Sequence, residues 1–200
     1  MAYPTVSGPY GLEPINLVGG QVFAGQTRLF PIASGSTTAI YYGDVVALNT
    51  SGTLDKVATT ATAANAVGVF LGCTYTSPVT NQKLNAQYYP GAVTASDIQA
   101  YVQDDYDQLY KVAVVSATTT IGGLTQAAVG QNVSLVQNAG STITGDSKVA
   151  VLSTTGTATS LPFRVVAGIP ETVNASGSYT EVVVKFNFGI HTYTNPAAVA

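Results

Sequence analysis

Asp104-Asp105-Tyr106-Asp107-Gln108-Leu109-Tyr110-Lys111-Val112-Ala113-Val114-Val115 is the stretch on which the fold turns, because a carboxylate cluster runs there straight into an apolar, β-branched run. Four of the ten acidic residues (Asp97, Asp104, Asp105 and Asp107) lie in or just before it. Aspartates on a turn cap nearby amides, and oxygen-rich turns are also what calcium asks for. The apolar half cannot be given an inside face by alternation, since nearly every position is hydrophobic, so it reads as a strand buried on both sides. Asp104, Asp105 and Asp107 are therefore weak metal candidates, with the initiation of a strand as the alternative role. Their spacing does not match a twelve-residue EF-hand loop.

Outward from this stretch the chain reads as short strands separated by turn clusters. Asp44 to Leu48, then Asn49-Thr50-Ser51-Gly52, then Thr53 to Val57 is a hairpin signal, with Gly43-Asp44 as a turn-to-strand entry. Val67 to Thr74 is a buried strand, and Ala58 to Ala66 is a threonine-rich loop. Ser77 to Asn85 is a polar turn, Tyr89-Pro90-Gly91 a second turn, and Ile98 to Val102 a strand. Leu124 to Gly130 has room for one helical turn. Strands follow at Val133 to Val136, Lys148 to Leu152, Leu161 to Ile169 and Tyr179 to Phe188, with turns expected at Asn138 to Ser141, Thr154 to Thr157 and Asn174 to Ser178. The last strand alternates, with Val182, Val184, Phe186, Phe188 and Ile190 on one face and Glu181, Val183, Lys185, Asn187 and His191 on the other. Strands at this spacing without a long helix predict a mainly β, antiparallel sandwich or barrel.

Met1 to Gly20 carries Pro4, Gly8, Pro9, Gly11, Pro14, Gly19 and Gly20, which exclude a stable helix and disfavour a central strand. Tyr3, Tyr10, Leu12, Ile15, Leu17 and Val18 are interleaved with them as apolar anchors. The expectation is an extended arm over residues 1–20, followed by a single elaborated β domain over 21–200. The arm either drapes over its own core or reaches a neighbouring subunit, which makes Tyr3, Tyr10, Leu12, Ile15 and Leu17 interface candidates.

Composition narrows the function. Of 200 residues only 8% are charged, against about 25% in a typical chain, while 46% are hydrophobic. The seven basic residues are scattered singly through a chain of net charge −3, so no basic stripe exists to bind nucleic acid. No apolar run approaches the ~18 residues of a membrane helix. Cys73 reads as a small core hydrophobe and His191 as a hydrogen-bonded surface or interface residue. Walker, dinucleotide, His-Glu-x-x-His and Gly-x-Ser-x-Gly patterns are absent from the sequence. No enzyme activity and no cofactor is expected.

Several segments taken together resemble the head decoration, or capsid cement, proteins of tailed bacteriophages, of the marine-phage virion structural type. They are Gly8 to Pro14 with Gly19-Gly20, Ile40 to Val46, Val67 to Phe70, Tyr89-Pro90-Gly91, Val102 to Val112, Val129 to Asn132, Gly140 to Ser147, Leu161 to Val165 and Val184 to Tyr193. The resemblance implies a non-enzymatic β-rich subunit, made in the host bacterial cytoplasm and placed on the capsid exterior. Its partners would be the major capsid protein and other copies of itself, as a dimer or trimer, with no nucleic acid or membrane contact. The competing expectation is a calcium- or glycan-binding β domain of a surface protein.

Overall fold

The acidic turn joins two strands that belong to different sheets in the computed structural model, which describes residues 6–57 and 66–187. Numbered along the chain, the strands are β1 (Glu13–Leu17), β2 (Arg28–Pro31), β3 (Val45–Leu48), β4 (Leu54–Lys56), β5 (Ala66–Thr76) and β6 (Lys83–Ala86), then β7 (Gln99–Gln103), β8 (Gln108–Val115), β9 (Asn132–Val136), β10 (Ala150–Gly156), β11 (Phe163–Gly168) and β12 (Glu181–Phe186). The turn at 104–107 links β7 to β8.

β8 pairs with β10, β10 with β9, β9 with β11, β11 with β12, and β12 returns to β8. This ring of five strands is a closed barrel, which removes the open edges that flat sheets must otherwise protect. Every pairing is antiparallel except β8 with β10, where Val114 faces Val151. Tyr110, Val112, Val114, Val133, Leu135, Phe163, Val165, Val182, Val184 and Phe186 fill the inside. Tyr110 meets Phe186 edge-on, and Phe186 in turn packs against Phe163 at 4.9 Å between ring centroids.

The second sheet runs β2-β7-β5-β3-β4, with β6 also on β5, and all of it is antiparallel. Val45, Ala66 and Val69 on one face join the barrel's core. Val46, Val67, Phe70, Cys73 and Val102 on the other face lie under Ile32, Ile40, Tyr89, Ala95 and Ile98. Both faces of β5 are covered, and that is why its sequence is an unbroken apolar run.

The expected mainly β fold is what forms. The hairpin of β3 and β4 is held by one side chain: Asn49 Oδ1 accepts the amides of Ser51 and Thr53, and its Nδ2 donates to Thr53 Oγ1 and Asp55 Oδ2. The helical turn expected in Leu124 to Gly130 is a 3-10 turn at Gln126–Ala128, and a second 3-10 turn forms at Pro170–Thr172. Within the segment expected as an arm, Glu13–Leu17 pair with β8 as β1. Pro14 is tolerated there because it lies on an edge strand.

Two expectations differ. β6 occupies part of the stretch read as a polar turn, because its exposed residues carry no apolar pattern while the end of the long β5 offers it an edge to pair with. The turn expected at Thr154 to Thr157 falls later, since β10 continues to Gly156 and its β-branched threonines suit a strand. Tyr3, residues 58–65, Phe188, Ile190 and His191 lie outside the described residues.

Candidate functional site: the acidic turn and the N-terminal hairpin

Each carboxylate of the acidic turn has its own task. Arg28 Nε on the edge strand β2 lies 3.1 Å from Asp104 Oδ2, an ion pair without an aligned hydrogen bond. Asp105 Oδ1 accepts the Asp107 amide at 2.9 Å, and its carbonyl accepts the Gln108 amide. Asp107 Oδ1 binds Lys185 Nζ of β12 at 2.8 Å, and that ammonium sits 5.4 Å from the centre of the Tyr106 ring. The turn thus ties β2 and β12 to the β7–β8 connection. Among the described residues no three His, Cys, Asp or Glu side chains gather in a group able to hold a metal ion. Asp97 serves the second sheet: the Thr76 amide and hydroxyl both donate to its carboxylate and hold it below the usual range.

The interface candidates Tyr10, Leu12, Ile15 and Leu17 are engaged by their own chain. Leu12 has no solvent exposure and packs in the barrel's core, and its amide donates to the Gly43 carbonyl at 3.0 Å. The Tyr10 hydroxyl donates to Glu181 Oε1 at 2.5 Å, and Lys111 Nζ lies 2.9 Å from Glu13 and 5.3 Å from the centre of the Tyr10 ring. Burial first, and the Glu181 carboxylate second, push the Tyr10 phenol far above its ordinary range. Ile15 and Leu17 are half-buried in β1. Tyr3 is outside the described residues.

What faces outward instead is the tip of the N-terminal hairpin. Residues 13–23 fold back on themselves: the Leu17 amide donates to the Gln21 carbonyl, the Phe23 amide donates to the Ile15 carbonyl, and Asn16 pairs with Val22. This leaves Val18 53% and Val22 77% exposed. The Val18 amide donates to the Asp107 carbonyl, so the tip sits against the acidic turn, where Tyr106 is 46% exposed.

The sequence reading missed Asp44, which is the most heavily bonded carboxylate in the fold. It has no exposure, and it accepts from Ser147 Oγ at 2.6 Å, from the Tyr41 amide at 2.8 Å and from Lys56 Nζ at 2.9 Å. Loss of water outweighs these partners and raises its carboxyl above the ordinary range. Beside it the backbones of residues 11–12 and 43 cross closely. Gly43 has φ +86°, and a Cβ there would stand 3.0 Å from the Leu12 nitrogen, so glycine is required. The only signal in the sequence was Gly43-Asp44 at the start of a strand, and nothing in it pointed to Ser147.

Cys73 is not poised as a nucleophile. Burial pushes the Cys73 thiol up to about 12, and its Sγ lies 3.7 Å from the Tyr88 carbonyl inside the second core. No family model, curated protein or solved structure matches the chain.

Proposed function

We propose that this chain is a structural virion protein that decorates and cements the outside of a phage capsid, bridging neighbouring shell subunits as a homo-oligomer. The observation that carries the reading is the exposed apolar hairpin tip of Val18 and Val22 beside Tyr106, on a charge-poor body whose acidic turn serves ion pairs and a cap. Few lysines and glutamates and 12 tyrosines suit a surface used for contact. The segments that resemble capsid decoration proteins support the same role. The mechanism is mechanical: many copies add weak contacts through avidity, and no step of chemistry is needed.

Binding of the purified protein to undecorated shells of its major capsid protein tests this. The wild type is expected to co-sediment with shells, and the Val18→Asp/Val22→Asp double variant to lose on the order of tenfold in affinity or more, as removal of two central apolar contacts does. If the wild type does not bind shells, the cement reading fails. If only the variant's loss is missing, the bridging contact lies elsewhere on the surface.

A further inference from the structure

The ribbon of β11 and β12 carries its charges at opposite ends of its outer face. Phe163, Val165, Val182, Val184 and Phe186 belong to the barrel's core, so the residues that alternate with them face outward. At one end Arg164 lies directly opposite Lys185. At the other the pairing runs on past Gly168 to Ile169, whose amide donates to the Glu181 carbonyl, and Glu171 follows in the 3-10 turn. The middle is apolar. Ala167 sits opposite Val183, and the register shift between Val165 and Ala167 leaves Val166 as an unpaired bulge residue, 39% exposed.

Two of these charges are answered within the chain. Lys185 holds Asp107, and Glu181 accepts the Tyr10 hydroxyl and lies 3.8 Å from Lys111. Arg164 and Glu171 are both exposed, and neither has an ion pair among the described residues. Arg164 is also held in place. Its Nε donates to Asn132 Oδ1 at 3.2 Å, and the Asn132 amide is oriented in turn because its Nδ2 donates to the Ala158 carbonyl at 3.0 Å. The other N–H groups of the guanidinium remain as a planar fork that suits a carboxylate.

We infer that this face is a two-fold contact between two copies of the chain. An axis midway between Arg164 and Glu171, beside Ala167 and Gly168, sets Arg164 of each copy against Glu171 of the partner subunit. The same register sets Val166 against Ile169 of the partner subunit, so the apolar middles cover one another. The contact is isologous: one face supplies both halves of each ion pair, and the assembly closes at two copies. A parallel stacking would oppose arginine to arginine, so repulsion selects the antiparallel one. The inference rests on the homo-oligomer part of the reading above and not on the capsid, and it selects the dimer over the trimer.

Sedimentation equilibrium of the full chain tests it, with circular dichroism as the check on folding. The wild type is expected to dimerise. Arg164→Glu and Glu171→Arg each oppose like charges at both ends of the contact, and each is expected to weaken dimerisation on the order of tenfold or more. The double variant reverses both pairs and is expected to restore it. Glu171→Arg alters an exposed side chain with no ion pair of its own among the described residues, so its effect reports on the contact and not on the fold. A wild type that stays monomeric at about 1 mM, where a contact with a millimolar dissociation constant is half formed, overturns the homo-oligomer and this contact together. A trimeric wild type overturns the contact alone. So does a dimer that either single variant leaves unchanged, or that the double variant fails to restore.

Discussion

A carboxylate with no solvent exposure, such as Asp44, must find its compensation inside the protein, and three donors within 2.9 Å supply part of it. Removing the cation alone would strand the charge, so Lys56→Met is expected to cost about 3–5 kcal/mol, read by urea unfolding. The pH dependence follows from the raised Asp44 carboxyl. As pH falls, the folded chain takes up this proton before the unfolded chain does. The group's contribution is therefore fully present below the unfolded value, ~3.9, and is lost as pH rises through the folded one. Unfolding free energies of wild type and Asp44→Asn at neutral pH and near pH 4 should accordingly show their difference moving in the wild type's favour on acidification. Leu12 obeys simpler arithmetic. Leu12→Ala empties a fully buried site and is expected to destabilise by about 2–5 kcal/mol, which the same denaturation curves would show.

Among elements, the N-terminal hairpin and the β3–β4 hairpin are built differently. The second is organised locally: Asn49 makes four hydrogen bonds within six residues, and Gly52 supplies a positive φ. Asn49→Ala is expected to cost on the order of 1–3 kcal/mol, since it strands turn amides that the side chain served. The N-terminal hairpin has no such local organiser and is held by what it lies on, namely β8 along β1 and the Asp107 carbonyl at its tip. Its exposed valines contribute little to folding, so Val18→Asp/Val22→Asp should change stability by no more than about 0.5 kcal/mol per site. A loss of shell binding by that variant then reports on the contact and not on the fold. Deleting residues 1–20 would confound the two, because it removes Leu12 and β1 together.

For the whole molecule, the decisive fact is that one core serves both sheets. Val45, Ala66 and Val69 of the second sheet pack with Tyr110, Val112 and Val114 of the barrel. The two sheets are therefore expected to unfold together, with far-UV circular dichroism and tyrosine fluorescence giving coincident transitions. Cys73, 1% exposed in the second core, provides an independent probe. Its modification by a thiol reagent should proceed only at the rate at which the second sheet opens.

The sequence by itself determined the class of fold and the position of most strands. Alternation placed Val182, Val184 and Phe186 inward, and the apolar run of β5 marked a buried strand, whereas β8 is covered on both faces only from Val112 to Val115, since Leu109 and Lys111 in its first half are partly exposed. Turn chemistry located Asn49 to Gly52. These are local properties: each residue's side-chain type reports whether its own surroundings are apolar. Tertiary structure alone decided which strands meet. The parallel pairing of β8 with β10, the return of β12 to close the barrel, and the pairing of Ser147 with Asp44, 103 residues away, are choices of partner. Backbone donors and acceptors are the same on every strand edge, so sequence does not encode them one by one. For the same reason the acidic turn stood out as a charge cluster, while the groups that occupy it, Arg28 and Lys185, come from strands far along the chain and became visible only when the fold brought them there.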